Sequence, residues 1–238
     1  GGDLYQNLTK SESPAKCRDL RHNEPLSADS LFPTRSTTVR LTLMTAITGT
    51  QIIVGITGGV AAYKSVELIR RLRDHGADVR VVVTPAGKAF ITPLTLQAAS
   101  GNPVHDSLLD ANAEAGMGHI ELARWADHIV VAPASADFIA RFATGLADTL
   151  LSTLCLASEA PTTLVPAMNH VMWGKTATQR NVDTIRSWGV TVLEPAIGPQ
   201  ACGEVGVGRM QEPVDIIQHL AQTRSSNYLN GVQVMVTA

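Results

Sequence analysis

The hydrophobic pattern divides the chain near residue 50. Upstream, residues 11–38 are polar, include Pro14, Pro25 and Pro33, and keep neither a period of 2 nor one of 3.6. Residues 1–49 therefore read as a disordered tail or an added expression segment, with Met44 placed as a natural start would be. From Gln51 short apolar runs alternate with amphipathic stretches. Strands are predicted over 52–56, 79–84, 128–132, 162–166 and 190–193. Helices are predicted over 61–75, 93–100, 119–125, 136–142, 148–157, 176–188 and 214–222, with Gly76 at the position that ends the first. Strand, glycine turn, helix and strand follow one another from Gln51 to Thr84, which is a βαβ unit and requires a parallel sheet. The expected fold is a doubly wound, Rossmann-like parallel sheet with helices on both faces, a three-layer α/β sandwich. It occupies residues 50–224. Residues 225–238 are expected to be a linker and the first strand of a further domain that the chain leaves incomplete.

Composition narrows the function. Hydrophobic residues make up 45% of the chain and charged ones 17%, enough apolar material for one such core. The formal charge of -2 has no basic stripe, so nucleic acid is not an expected partner. Apolar runs are interrupted well short of the roughly 20 residues a membrane helix needs, so no membrane span is expected. Cys17, Cys155 and Cys202 form neither an even set nor a CxxC pair. Neither a disulfide framework nor a metal site is predicted, and a reducing cytoplasmic setting is expected. Cys155, within an apolar run, reads as a small core residue.

Ligands of doubly wound sheets bind beyond the carboxyl ends of the strands. Thr57-Gly58-Gly59 lies at the first such end, where glycine admits a phosphate or merely permits a tight turn. The run from Gly55 lacks the last glycine of a dinucleotide fingerprint, and the second strand ends in Thr84-Pro85 without a carboxylate. Both features disfavour NAD and suit a mononucleotide such as FMN. Pro133-Ala134-Ser135-Ala136 closes the 128–132 strand. Its small residues permit a flat ring and Ser135, with Thr84, offers hydroxyls, although Ser135 would serve equally as a helix cap.

Three residues with chemistry fall at element ends. His119 follows Gly118 and either faces a pocket or belongs to a helix start. Asn169 follows the strand ending at Pro166, as a turn residue or as a neutral donor to a carboxylate. Cys202 lies in a glycine-rich run, 200–210, read as a mobile loop of the kind that forms lids, in which a thiol can deliver a proton. Arg209 in the same run suits a phosphate or carboxylate clamp.

Together these stretches resemble the homo-oligomeric flavin-containing cysteine decarboxylase family. The resemblance spans residues 51–222. It is carried by Gly58-Gly59-Val60-Ala61-Ala62-Tyr63-Lys64, Gly118-His119, Ala132 to Ala136, Pro166-Ala167-Met168-Asn169-His170-Val171-Met172-Trp173, and Ala201-Cys202-Gly203-Glu204 with Gly208-Arg209-Met210. Within the family it is most similar to decarboxylases fused to a ligase in bacterial coenzyme A biosynthesis. The resemblance implies FMN as cofactor and conversion of 4′-phosphopantothenoylcysteine to 4′-phosphopantetheine, with His119, Asn169 and Cys202 catalytic. It implies substrate contacts at Met168, Met172, Ala201, Arg209 and Met210. FMN contacts are implied at Thr57, Gly58, Gly59, Val60, Thr84, Phe90, Pro133, Ala134, Ser135, Ala136 and Asp148. It implies a homo-oligomer, a trimer or dodecamer of trimers. It also makes residues 229–238 the opening strand of the fused ligase, whose activity is not expected here. A flavin prenyltransferase, a flavin-binding regulatory subunit and a peptide-processing decarboxylase are the competing readings.

Overall fold

The computed structural model describes residues 47–108 and 118–228. The predicted tail up to residue 46, the Gly116-Met117 pair before Gly118, and the predicted ligase strand lie outside the described residues. Six parallel strands form one sheet: β1 (Gln51–Ile56), β2 (Asp78–Val83), β3 (Val104–His105), β4 (His128–Ala134), β5 (Thr162–Pro166) and β6 (Thr191–Val192), in the order β3-β2-β1-β4-β5-β6. The chain leaves β1 toward β2 on one side and returns to β4 on the other. The switch point therefore falls between β1 and β4.

Alternating residues of the strands feed two separate cores. Ile52, Val54 and Ile56 of β1, with Val79, Val81 and Val83 of β2 and Val130 of β4, face one layer. That layer is built from α1 (Ala62–Asp74), α2 (Pro85–Lys88), α3 (Pro93–Ser100) and the last helix, which contributes Ile216, Ile217 and Leu220. Ile53, Val82, Ile129, Val131 and Leu164 face the other, against α4 (Gly118–Trp125), α5 (Ala136–Ala143) and α6 (Leu150–Ala157). Beyond β5 the chain forms α7 (His170–Gly174) and α8 (Thr176–Ser187), whose Val182 and Ile185 complete this second layer. Both faces of the sheet are dry, so its strands read as continuous apolar runs rather than as alternation. Gly76 takes φ +83° after the C-cap His75, the left-handed turn that stops α1.

Four sequence expectations change. Residues 47–49 belong with the packed domain rather than with a tail: Ile47 is fully buried and the Gly49 N–H donates to the Gly76 carbonyl at 2.8 Å. The last helix, α9 (Pro213–Tyr228), runs past the boundary predicted at 224. The strand predicted over 190–193 pairs only at Thr191 and Val192. The helix predicted from 148 starts at Leu150, because Thr149 caps it in a reciprocal box with Ser152 and leaves Asp148 outside.

The largest difference is at 200–210. Instead of a mobile loop, β7 (Ala196–Pro199) and β8 (Val205–Arg209) form an antiparallel hairpin whose turn spans 200–204. The glycines of this run serve close packing rather than mobility. A Cβ at Gly206 would stand 2.6 Å from His170 Cβ, and one at Gly208 would stand 2.2 Å from the Met168 carbonyl oxygen. Composition alone does not separate glycine used for freedom from glycine used for contact.

Candidate active site

Two groups of residues gather at the carboxyl ends of the strands. The first is at the switch point. Thr57, 2% exposed, donates its hydroxyl to the Pro133 carbonyl at 2.7 Å and accepts from the Ser135 N–H at 2.9 Å. It thereby ties the end of β1 to the end of β4, and its proton is not free for a phosphate. Thr84 is similarly committed, donating to the Ile56 carbonyl at 3.2 Å and accepting from Gly87 N–H at 3.1 Å. These two hydroxyls tie the strand ends together, their protons committed within the fold. Ser135 differs: its oxygen caps α5 through Phe138 N–H at 3.2 Å, a bond in which it only accepts, so the hydroxyl proton remains to be donated.

The strand ends so joined leave room above them. Gly58 is required by packing, since a Cβ there would lie 2.7 Å from Ala86 Cβ, whereas one at Gly59 meets nothing within 4 Å. Helix α1 starts at Ala62 with no side-chain cap from Ala61; the Ala62 and Lys64 N–H groups are taken by the Gly59 and Ala61 carbonyls, both at 3.0 Å, and the Tyr63 N–H lies between them. Val60 and Phe90 are exposed at the rim, 58% and 55%. Pro133 follows a cis peptide bond, Ala134 is buried at the end of β4, and Ala136 opens α5. Asp148 is exposed and paired with Arg141, which also holds Asp137.

The second group lies beyond β5. The Ala167 N–H donates to the Ala134 carbonyl at 3.1 Å, and the Met168 N–H to the Gly208 carbonyl at 2.9 Å, docking the hairpin on the strand end. Asn169 caps α7: its Oδ1 accepts from Val171 N–H at 2.8 Å. That bond fixes which end of the amide is which. Nδ2 consequently points toward the hairpin turn, 2.6 Å from Glu204 Oε2, 3.3 Å from Gln200 Oε1 and 3.5 Å from Cys202 Sγ. Asn169 is thus a helix cap whose Nδ2 also donates to the hairpin turn. Cys202 is exposed and donates its thiol toward Glu204 Oε2 at 3.4 Å.

The structure brings Asn169 and Cys202 together and adds residues that the sequence reading passed over. Gln200 accepts from both Asn169 Nδ2 and the His170 N–H, the latter at 3.1 Å, while its own Nε2 is buried without a partner among the described residues. His170 Nδ1 is at ion-pair distance from Glu204, 3.4 Å, but without hydrogen-bonding geometry. The Asn169 amide, then the Cys202 thiol and then His170 hold the Glu204 carboxyl below its ordinary range, against a smaller opposing effect of burial. Gln200 and Glu204 flank Ala201 and Cys202 in the stretch already singled out. The signal for them was their position, two residues to either side of the thiol, within reach across one tight turn.

Other predicted contacts are distributed unevenly. Met168 packs against the second core and Met172 is 47% exposed beside it on α7. Ala201 is exposed in the turn. Arg209 stands 3.4 Å from Glu212. Met210 is 1% exposed in the first core and its carbonyl accepts from Lys64 Nζ at 3.2 Å. His119 is half-buried in the first turn of α4 and makes no hydrogen bond to the Asn169 group among the described residues. No cluster of potential metal ligands and no helix long and apolar enough to cross a membrane occurs among the described residues.

Comparison with known proteins agrees with this geometry. The coenzyme A biosynthesis bifunctional protein CoaBC of Escherichia coli K12 is 53% identical over 194 residues, covering 81% of this chain and 48% of that protein. The Bacillus subtilis CoaBC is 38% identical over 191 residues, 79% of this chain and 47% of that protein. The chain therefore spans about half the length of the curated relatives it matches. Among solved structures, a PPC decarboxylase variant complexed with pantothenoylaminoethenethiol superposes with a TM-score of 0.66 at 31% identity, covering 74% of this chain and 99% of that one. The FMN-dependent cysteine decarboxylase SpaF gives 0.65 at 29% identity, covering 75% and 99%. The Flavoprotein family model matches residues 41–225, and with the sheet order and the two strand-end groups described above, the chain belongs to that family.

Proposed function

We propose that this chain binds FMN and decarboxylates 4′-phosphopantothenoylcysteine to 4′-phosphopantetheine, a step of coenzyme A biosynthesis. The observation that carries the reading is the Asn169 amide, oriented by its own cap bond, with the Cys202 thiol 3.5 Å away. The names of the relatives support it, since CoaBC proteins act in coenzyme A biosynthesis and the superposed enzyme is a PPC decarboxylase.

The switch-point residues fit a flavin mononucleotide. The open approach over Gly59, the uncapped start of α1 and the Ser135 hydroxyl would hold its phosphate and ribityl oxygens, with the apolar Val60 and Phe90 at the ring. When bound, FMN supplies a two-electron acceptor that makes the cysteinyl carboxylate able to leave and afterwards returns the electrons. The chain's own residues do the rest. Asn169 Nδ2 holds the substrate carboxylate with a neutral donor, which orients it without stabilising the anion as a cationic partner would. Cys202 Sγ delivers a proton to the carbon left after CO2 departs, from a turn that closes over the strand end. His119 serves as a third catalytic group that orients the substrate thiol and carboxylate. The exposed Val60, Tyr63, Phe90 and Leu94 form the face on which further copies of the chain assemble, as a trimer or dodecamer of trimers.

Turnover tests this directly. Purified protein should be yellow, and mass spectrometry should show 4′-phosphopantothenoylcysteine losing CO2 without added nicotinamide or metal. Cys202→Ser should still release CO2 and then stall before the saturated product. A colourless protein that takes up no FMN, or a Cys202→Ser variant with normal turnover, would overturn the flavin and proton-donor assignments respectively.

A further inference from the structure

Asn169 Nδ2 already holds a carboxylate. Glu204 Oε2 lies 2.6 Å from it, the shortest contact in the group, and the same oxygen lies 3.4 Å from both Cys202 Sγ and His170 Nδ1. The second acceptor on Nδ2 is the neutral Gln200 Oε1 at 3.3 Å, so both amide hydrogens have an acceptor. A second carboxylate cannot share that N–H group with the first, because each amide hydrogen already has its acceptor and the two anions would stand in contact. We infer that Glu204 is an internal stand-in for the substrate carboxylate: it occupies the Asn169 donor, and the incoming acid must displace it.

The turn is built to permit that exchange. Glu204 is the last residue of the 200–204 segment and is side-chain exposed, and Gly203 before it sits at φ +85° with open space around it. The turn is closed by two backbone bonds, Gln200 N–H to the Glu204 carbonyl at 2.8 Å and Gly203 N–H to the Gln200 carbonyl at 2.9 Å. The Glu204 side chain can therefore swing away while the backbone that carries Cys202 stays in place. Displaced from Nδ2, the carboxylate retains His170 and Cys202 as neighbours. It acts through Asn169 and Cys202, as a positioning and specificity residue: a ligand lacking a carboxylate gains nothing by displacing it. The identity of the incoming acid rests on the function proposed above, whereas the occupancy of the Asn169 donor does not.

Alkylation of Cys202 separates the two. Iodoacetate and iodoacetamide form the same C–S bond and expel iodide, the thiol proton passing to solvent, but only iodoacetate brings a carboxylate. Rates are read at the Cys202 peptide by mass spectrometry in the full chain. In Glu204→Ala the iodoacetate-to-iodoacetamide rate ratio should rise by roughly tenfold or more, the scale of one hydrogen bond to a charged group. The rise should vanish when Asn169→Ala is combined with it. An unchanged ratio in Glu204→Ala, or a rise that persists without Asn169, overturns the inference, the second outcome showing loss of general repulsion only. Glu204→Ala should also lower KM for the acid substrate and leave the affinity for 4′-phosphopantetheine, which has no carboxylate, unmoved. Failure of the proposed decarboxylation shows as absent CO2 in the unsubstituted protein, with the alkylation ratios unaffected.

Discussion

At the ends of β1 and β4, Thr57 donates and accepts within the fold and its one hydroxyl proton is committed; at the end of β5, the amide of Asn169 is shared among three side chains that can each be replaced by a ligand group. Both sites lie on the same edge of one sheet, and they divide the work. The first uses buried hydrogen bonds to hold two strand ends at a fixed separation, so that bare backbone around Gly59 is what faces outward. The second keeps Cys202 and Glu204 exposed, and among the described residues its buried Gln200 Nε2 and His170 Nδ1 have no hydrogen-bond partner. A site that binds through backbone has to be rigid first, while one that exchanges a carboxylate has to leave its bonds incomplete.

Substitutions at the two ends should differ in kind as well as in size. Asn169→Leu should reduce turnover by about 100-fold or more, the scale of losing one preorganised donor, with a smaller stability loss of about 1 kcal/mol from the missing cap of α7. Thr57→Val should act chiefly on stability: it orphans the Ser135 N–H and leaves the Pro133 carbonyl with only the Thr57 N–H at 3.3 Å, and should cost about 2 kcal/mol by urea denaturation. If Thr57→Val left stability intact and removed only activity, the contrast between the two ends would collapse.

A smaller effect is expected at the opposite end of β4. His128 is buried there with Nε2 2.9 Å from Thr163 Oγ1, and its pKa is lowered to about 4, first by burial and then by the nearby charges of Arg224 and His219. Between that value and its ordinary 6.5 the unfolded chain binds a proton that the folded chain does not, so stability falls as pH is lowered through this window. From pH 7 to pH 5.5 the loss should be about 1 kcal/mol, and His128→Gln should remove that contribution. A wild-type slope equal to that of His128→Gln would show that this histidine is not the source. The smallest effect concerns thiol reactivity: burial pushes Cys155 up to about 12, so iodoacetamide should label Cys202 and leave Cys155 unmodified until the protein unfolds.

The sheet and its helices were legible because each strand is an apolar run bounded by turn residues, and because Gly76 and Pro93 mark helix ends by geometry that few other residues allow. The short β3 and the two-residue β6 carry too little pattern to be delimited. Asn169 was legible as a candidate from its place after β5. Its partners Gln200 and Glu204 were not, since their meaning depends on a hairpin folding back across more than 30 residues, a relation no local period encodes. Gly206 and Gly208 misled for a related reason. Viewed along the chain they signal freedom, and only the opposing backbone of Met168 and His170 shows that they are points of contact.

That backbone contact has a consequence for how the protein can vary. The distance from the Asn169 amide to the thiol-bearing turn is set by the Met168 N–H meeting the Gly208 carbonyl, main chain against main chain with no side chain between. Packing distances elsewhere adjust by fractions of an ångström when one methyl replaces another, but this one has no such screw. The ribbon can keep its register or slip by a full two-residue repeat of about 7 Å, and the steps between are closed to it. Drift in sequence can therefore recolour the turn that carries Cys202, exchanging one acid or amide for another, while the gauge of the site stays the same.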